Sequence, residues 1–323
     1  DDMTLSDDGK LVAYVINENG ISKLHVRDLA TNRNLNVPEV PYGEITGIRF
    51  NRDSNRLGMT LNSAMGPGDV YVLDVAGRKL ERWTEGEVGG LSTDGFQSPK
   101  LIHFETFDKV DGKPRMIPAF YDPAKRTGGG PSPVLISSHG GPEAQYTPSF
   151  SSTFQYHINE MGSAILAPNV RGSTGYGKSY LGLDNGFKRK DTVRDIGALL
   201  DWIEKQPELD SDRIAVFGGS YGGYMVLAAM THYNDRLRAG IDIVGISNFV
   251  TFLENTQEYR RDLRRVEYGD ERDPEMREFL NRISPNNNAQ KITKPLFVIQ
   301  GLNDPRVPVT ESEQMVKVIR DSG

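Results

Sequence analysis

The feature that most constrains the fold is a serine between glycines, at residues 218–223. An apolar, β-branched run precedes Ser220, and an apolar helix-forming run follows it. The pattern Gly-x-Ser-x-Gly between a strand and a helix is typical of a sharp turn that exposes a nucleophilic serine, because small flanking residues leave room for a strained backbone. The sequence therefore predicts a nucleophile at Ser220, with the N–H of Tyr221 directed at a developing oxyanion. An ordinary glycine-rich turn is the alternative.

Length, composition and charge limit the class of protein. At 323 residues the chain exceeds the usual single domain, so two domains are expected. No apolar run approaches the roughly 18 residues that a membrane helix requires, and no transmembrane span is predicted. The net charge of -6 comes without a dense basic patch, so we expect neither a nucleic-acid partner nor a membrane partner.

The chain contains no cysteine. Disulfide bonds and thiolate metal ligands are therefore excluded, and the sequence predicts neither a metal site nor a cofactor. The glycine-rich residues 170–177 lack the spacing of a phosphate-binding loop. Localisation stays open between the cytoplasm and export from a bacterial cell, because many exported bacterial proteins also lack cysteine.

Residues 1–88 contain a repeat of short strands. The turn at Asp8 recurs at Asp53, 45 residues later, and the strand that ends at Asp28 recurs in one that ends at Asp74, 46 residues later. This period is typical of propeller blades. A propeller normally has about 4–8 blades, so we predict the last blades of an incomplete propeller, in a chain that starts inside a longer protein. A small β-sandwich is the alternative.

Residues 89–323 alternate apolar strands with helices after a hairpin around Asp111. The predicted strands lie at residues 134–138, 164–167, 214–217, 239–244 and 296–300, with helices at 192–204 and from 311 to 320. This pattern describes an open, doubly wound and mostly parallel sheet, so the fold class is α/β. Active sites in such sheets lie at the carboxyl ends of the strands. Ser220, the turn at His139 and Asp304 each come shortly after the end of a predicted strand.

A serine nucleophile needs a histidine to accept its proton and a carboxylate to orient that histidine. For this type of turn the chain order is serine, acid, histidine. Asp304 follows a strand on a proline-stiffened loop and is predicted to be the acid, with a turn-forming Asn-Asp-Pro as the alternative. Every histidine precedes Asp304: His25, His103, His139, His157 and His232. We therefore expect the base to lie beyond Gly323, which leaves this polypeptide without the activator of Ser220.

Two blades and four ordered motifs resemble the prolyl oligopeptidase (S9) family of serine peptidases, especially its acylaminoacyl-peptidase and dipeptidyl-peptidase branch. The motifs are His-Gly-Gly-Pro at 139–142, Asn-Val-Arg-Gly-Ser-Thr-Gly-Tyr-Gly at 169–177, Gly-Gly-Ser-Tyr-Gly-Gly at 218–223 and Gly-Leu-Asn-Asp-Pro-Arg-Val-Pro at 301–308. The resemblance implies a β-propeller, truncated here to residues 1–88, and an α/β-hydrolase domain at 89–323 whose C-terminal end is missing. It also implies that Ser220 is the nucleophile, Asp304 the triad acid, and the N–H groups of Gly141 and Tyr221 the oxyanion hole.

The resemblance further implies a pocket for the P1 residue, whose carbonyl carbon is attacked. The implied lining is Ile246, Phe249 and Phe252, completed by Tyr221 and Val307. Because all five are apolar or aromatic, a small or medium apolar P1 side chain is favoured, proline included. Plain core packing is the alternative. Arg171 is a candidate ligand for a substrate carboxylate, with a structural ion pair as the alternative.

Three functions are compatible with these features. The first is a serine peptidase that hydrolyses short peptides through an acyl-enzyme, with the propeller excluding folded proteins. The second is a carboxylesterase that uses the same residues. The third is a non-catalytic binding protein that truly lacks the base. Short peptides are the expected partners, and a homo-oligomer is left open.

Overall fold

The computed structural model describes residues 2–125 and 128–322. The chain divides into two compact units: Asp1–Lys100 with Thr147–Met161, and Leu101–Tyr146 with Gly162–Gly323. The helix α1 (Ser152–Asn159) thus belongs to the first unit although its neighbours in sequence belong to the second. The division into propeller and hydrolase at residues 88 and 89 stays a prediction.

The first unit contains two four-stranded antiparallel sheets with their strands in sequential order. They are β1 (Asp2–Leu5), β2 (Leu11–Glu18), β3 (Ile21–Asp28) and β4 (Arg33–Asn34), then β5 (Gly43–Phe50), β6 (Arg56–Ser63), β7 (Gly66–Asp74) and β8 (Lys79–Arg82). Asn32 and Arg78, which precede the fourth strands, share a left-handed backbone with φ of 57° and 53°. The two sheets are therefore two copies of the same four-stranded repeat, as the period predicts.

One apolar core is shared by the two sheets of the first unit. Ala13 and Val26 of the first sheet and Leu57 of the second are completely buried in it. The sheets are also joined by a hydrogen bond of 3.0 Å from the Ile48 N–H to Asp2 Oδ2. A four-stranded sheet of this size needs a neighbour to cover its apolar face, and here the second repeat provides it.

The second unit is built on a seven-stranded sheet. Its strands are β9 (Lys100–Val110), β10 (Lys113–Asp122), β11 (Ser132–Ser138), β12 (Ala164–Pro168), β13 (Leu209–Gly219), β14 (Ala239–Ile243) and β15 (Leu296–Ile299). Their order is β15-β14-β13-β11-β12-β10-β9. The five strands from β11 to β15 pair in parallel, and β10 is antiparallel to β12. The predicted hairpin and open α/β sheet are confirmed.

The second unit also contains helices, of which the third, fourth and eighth of the chain contact the sheet. The helices of this unit are α2 (Lys178–Leu181), α3 (Asp191–Ile203), α4 (Tyr221–His232), α5 (Phe249–Asn255), α6 (Glu258–Tyr268), α7 (Pro274–Ile283) and α8 (Val309–Asp321). Short 3₁₀ helices lie at Gly182–Asp184, Gly186–Lys188, Asn234–Arg236 and Pro285–Lys291, and one at Thr93–Gly95 belongs to the first unit. In the described ranges, no helix combines the length and apolarity needed to cross a bilayer.

The order of the strands defines where a ligand can bind. The chain runs from β11 to β12 on one side of β11, and from β13 to β14 on the opposite side of β13. Ser138 pairs with Gly218, so the carboxyl ends of β11 and β13 are level with each other. In open α/β sheets the crevice outside the strand ends at such a reversal is the usual binding site.

Candidate active site

Ser220 forms the sharp turn between β13 and α4. Its backbone has φ of 59° and ψ of −118°, a combination that is uncommon for a residue with a side chain. The Ser220 N–H donates to Ile243 O at 2.9 Å, and the Ser220 carbonyl accepts from the Tyr224 N–H at 3.1 Å. The side chain is half-buried, and no group among the described residues forms a hydrogen bond with its hydroxyl. The strand, turn and helix that the motif predicts are present.

The glycines of the motif are required by close backbone contacts. A Cβ added to Gly222 would lie 2.2 Å from Ser138 O, and one added to Gly218 would lie 2.4 Å from Gly222 O. Real Cβ atoms do not approach backbone oxygens so closely. Helix α4 can therefore start directly beside the end of β11 only because these positions carry no side chain.

The turn after β11 lies against the serine. A Cβ on Gly140 would be 3.6 Å from Ser220 Cβ, so this backbone passes directly beside the proposed nucleophile. Gly141 has φ of 126°, a conformation that favours glycine. Neither the Gly141 nor the Tyr221 amide donates to a protein acceptor in residues 2–125 and 128–322. Their role as the oxyanion donors stays a prediction, with both amides free to serve it.

His139 is held inside that turn. Its Nδ1 lies 2.7 Å from Gly140 O, and its Nε2 lies 2.9 Å from Ser173 Oγ. Burial lowers the pKa of His139, which favours the neutral imidazole. With both ring nitrogens engaged, this histidine links the glycine turn to the segment around Ser173.

The other histidines of the second unit lie far from Ser220. His103 is on β9, four strands from β13, or about 19 Å at the usual strand spacing. His232 ends the twelve-residue helix α4, about 16 Å along the axis, and burial lowers its pKa to about 4. His25 and His157 belong to the first unit. That the base lies beyond the end of the chain stays a prediction.

Asp304 follows β15 at the same edge of the sheet. Gly219 pairs with Ile243 and Ile243 with Ile299, so β13, β14 and β15 end level. Asp304 Oδ1 accepts N–H groups from Arg306 at 2.8 Å and from Val307 at 3.1 Å. The carboxylate thus stiffens its own loop, as the turn alternative requires, while Oδ2 makes no hydrogen bond to the described residues. Its role as the triad acid stays a prediction.

The residues proposed for the P1 pocket come together in one apolar cluster. Tyr221, Ile246, Phe249, Phe252 and Val307 are all buried in it. Tyr268 of α6 joins their rings, with centroids 5.1 Å from Phe249, 6.0 Å from Phe252 and 6.0 Å from Tyr221. This close packing is what the core-packing alternative expects. The role of these residues as the lining of a P1 pocket stays a prediction.

Arg171 is 2% exposed and is bound by carboxylates. Its Nε and Nη2 donate to Asp195 at 2.9 Å and 2.8 Å, and Nη2 also donates to Asp108 at 2.9 Å. Asp195 is completely buried and accepts a further hydrogen bond of 2.7 Å from Thr106. These contacts favour the ion-pair alternative for Arg171 over a substrate-binding role.

Asp242 lies beneath the serine turn and was not identified as a site residue from the sequence. It is 1% exposed, and its Oδ1 has no hydrogen-bond partner among the described residues. A Cβ added to Gly223 would lie 2.4 Å from this oxygen, and one added to Gly245 2.1 Å, so the carboxyl group fills the space that two glycines leave. Burial raises the pKa of Asp242 to about 7. The sequence signal that could have identified Asp242 is a charged residue within an otherwise apolar strand.

We expect Asp242→Asn to flatten the pH dependence of stability. Because the pKa of Asp242 is about 7 when folded and about 4 when unfolded, the folded state binds more protons between these values. The free energy of unfolding therefore falls as the pH rises from 4 to 7, by at most about 4 kcal/mol. Asparagine cannot ionise, so urea unfolding at pH 5 and pH 8 should differ less for the variant.

The control for this experiment is Asp210→Asn. The pKa of Asp210 is lowered by its hydrogen bond from Arg213, so this carboxylate stays ionised throughout the same pH window. Its removal should leave the pH dependence between 5 and 8 unchanged. Equal pH dependence in the wild type and in Asp242→Asn would contradict the raised pKa of Asp242.

Comparison with known sequences identifies the family. The pattern of the Prolyl oligopeptidase family matches residues 148–323, more than half of the chain. Dipeptidyl aminopeptidase BIII of Pseudoxanthomonas mexicana is 37% identical over 195 residues, which are 59% of this chain and 28% of that protein. The chain therefore spans less than a third of this relative.

Solved structures share the fold. A puromycin-hydrolysing peptidase of Mycobacterium tuberculosis superposes with a TM-score of 0.85 at 24% identity, covering 99% of this chain and 48% of that one. Pyrococcus horikoshii acylaminoacyl peptidase gives a TM-score of 0.80 at 24% identity, covering 100% of this chain and 49% of its own. The likeness confirms the predicted fold class, an α/β-hydrolase domain preceded by propeller blades. The chain belongs to the prolyl oligopeptidase family.

Proposed function

We propose that the protein carrying this chain is a serine peptidase that hydrolyses short peptides through an acyl-enzyme on Ser220. The observation that carries the proposal is the positive φ of Ser220 in the turn after β13, beside the glycine turn that follows β11. This turn lies where the connections from β11 and β13 run in opposite directions along the sheet. The relatives named above are peptidases by name, which supports amide hydrolysis over ester hydrolysis alone.

The proposed reaction has two halves. Ser220 Oγ attacks the carbonyl carbon of the peptide while its proton passes to a histidine that Asp304 orients. The oxyanion accepts hydrogen bonds from the Gly141 and Tyr221 amides. The C–N bond then breaks, the amine leaves with the proton from the histidine, and an ester to Ser220 remains. Water attacks this ester in the same way, releasing the carboxylic acid and restoring the serine.

The apolar cluster that contains Tyr221, the residue after Ser220, gives the proposed specificity. Ile246, Phe249, Phe252 and Val307 offer a P1 side chain no charged partner. An acidic or basic P1 side chain would lose its hydration there without compensation. We therefore expect apolar P1 residues, proline included, to be cleaved in preference.

A matched substrate panel tests the proposal in the intact protein. We expect kcat/KM for peptide amides with P1 alanine, proline or phenylalanine to exceed that for P1 aspartate or lysine by about 10- to 100-fold. The corresponding esters serve as a reference for chemical reactivity. Cleavage of the esters without the amides would assign a carboxylesterase instead, and peptide binding without turnover of either would assign a binding protein.

A further inference from the structure

Arg189 is the largest completely buried side chain of the chain's described part, and it is neither a proposed catalytic residue nor part of the proposed P1 pocket. It lies between the 3₁₀ helix Gly186–Lys188 and α3. A buried guanidinium is strongly unfavourable unless carboxylates, hydrogen bonds or aromatic faces surround it. Its neighbours therefore show what the fold holds in place with this charge.

Arg189 contacts Tyr221, the residue after the proposed nucleophile. Nη1 pairs with Asp184 Oδ2 and donates to Tyr221 Oη at 3.1 Å, while Nη2 donates to Glu267 O at 2.7 Å. The Cζ atom lies 5.3 Å from the centre of the Tyr221 ring and 4.9 Å from that of Tyr268. One charged group thus contacts both the hydroxyl and the ring of Tyr221.

Two further contacts help to hold the Tyr221 side chain. Thr192 Oγ1 lies 3.1 Å from Tyr221 Oη, and the Tyr268 ring stacks on the Tyr221 ring with an angle of 13° between the planes. The Tyr221 side chain is 1% exposed and is fixed at both its ring and its hydroxyl. Its backbone therefore has little freedom to rotate.

The backbone of Tyr221 is where this restraint has consequences for catalysis. Its N–H is a proposed oxyanion donor, and it follows Ser220, whose φ of 59° persists only where the surroundings enforce it. A donor of this kind acts through direction and distance, because the oxyanion forms only in the transition state. Loosening the Tyr221 side chain would let the amide turn away from that position.

We propose that Arg189 is a positioning residue for the oxyanion hole, which aligns the Tyr221 N–H by holding the Tyr221 side chain. The inference rests on the proposed function. It differs from a purely structural role because misalignment of an oxyanion donor lowers kcat and leaves KM nearly unchanged. Loss of stability alone would lower the fraction of active protein without changing kcat per active site.

The test uses Arg189→Lys and Tyr221→Phe in the intact protein. Lysine keeps the charge but loses the fork that reaches both Tyr221 and Glu267. Phenylalanine removes only the hydroxyl that Arg189 and Thr192 hold. We expect each variant to lower kcat by about 10- to 100-fold with KM changed less than about threefold, after normalisation to titrated active sites.

The affinity for an inhibitor distinguishes positioning of the oxyanion donor from a purely structural role, because a purely structural role would leave this affinity unchanged. A peptide aldehyde adds Ser220 Oγ to its carbonyl carbon and places the resulting oxyanion in the hole, whereas the matching peptide alcohol cannot form this adduct. We expect both variants to bind the aldehyde more weakly by the same factor as kcat falls, with unchanged affinity for the alcohol.

Arg236→Lys is the matched control. Arg236 also pairs with two carboxylates of the second unit, Asp201 and Glu204, and it makes no contact with Tyr221. Its kcat should equal that of the wild type. Wild-type kcat and aldehyde affinity in Tyr221→Phe would overturn the inference even if Arg189→Lys failed to fold. Activity retained by Ser220→Ala would instead overturn the proposed function.

Discussion

Ser220→Ala is expected to lower kcat for peptide hydrolysis by the intact protein by about 10⁴- to 10⁶-fold. The change removes the oxygen that forms the acyl-enzyme and leaves the amides of the proposed oxyanion hole in place. Any residual rate would come from binding and from those amides acting on water. The measurement is kcat on an amide substrate with an apolar P1 residue.

The fold should tolerate this change. The Ser220 hydroxyl makes no hydrogen bond within the described residues, and alanine has the same Cβ and therefore the same backbone preference at φ of 59°. Thermal unfolding should keep its midpoint within a few degrees of the wild type. A folded Ser220→Ala protein with more than about 1% of wild-type kcat would contradict the assignment of the nucleophile.

Gly222→Ala is expected to destabilise the second unit by at least about 3 kcal/mol and to remove activity. The new Cβ would meet Ser138 O at 2.2 Å and His139 O at 2.9 Å. The first oxygen belongs to the last residue of β11, in the centre of the sheet, and the second to the residue that follows it, so neither can move without displacing the end of the strand. The start of α4, and with it the Tyr221 amide, would be pushed away from β11.

Chemical unfolding measures this effect, with Gly182→Ala as the control. Gly182 has φ of −84° and open space around the position of a Cβ, so alanine should change the free energy of unfolding by less than about 1 kcal/mol. Wild-type stability together with wild-type activity in Gly222→Ala would show that α4 does not start against β11 as described.

The parts of the site that were predicted from the sequence have local causes. The turn at Ser220 follows from the spacing of glycines that the backbone contacts require, and the Asp304 loop follows from an apolar strand with Asn-Asp-Pro shortly after its end. The blades follow from a period of 45 to 46 residues. Each signal lies in a short stretch of chain, where sterics and hydrogen-bonding capacity determine the conformation.

The parts that were not predicted depend on contacts between distant segments. Arg189 contacts Tyr221 and Glu267, which lie 32 and 78 positions further along the chain, and nothing near position 189 in the sequence identifies these two partners. Arg171 reaches Asp108 across 63 positions of sequence. A buried charge is recognised from its partners, and these are set by the packing of α3, α4 and α6 rather than by any local pattern.

The most direct test of the proposed nucleophile is the site of covalent modification by an organophosphonate with an apolar P1-like group. In the intact protein we expect one adduct per chain, located by mass spectrometry on Ser220, slowed by a competing peptide substrate and absent from Ser220→Ala. Inactivation with Ser220 unmodified, or with the adduct on another residue, would contradict the proposal that Ser220 carries the acyl group.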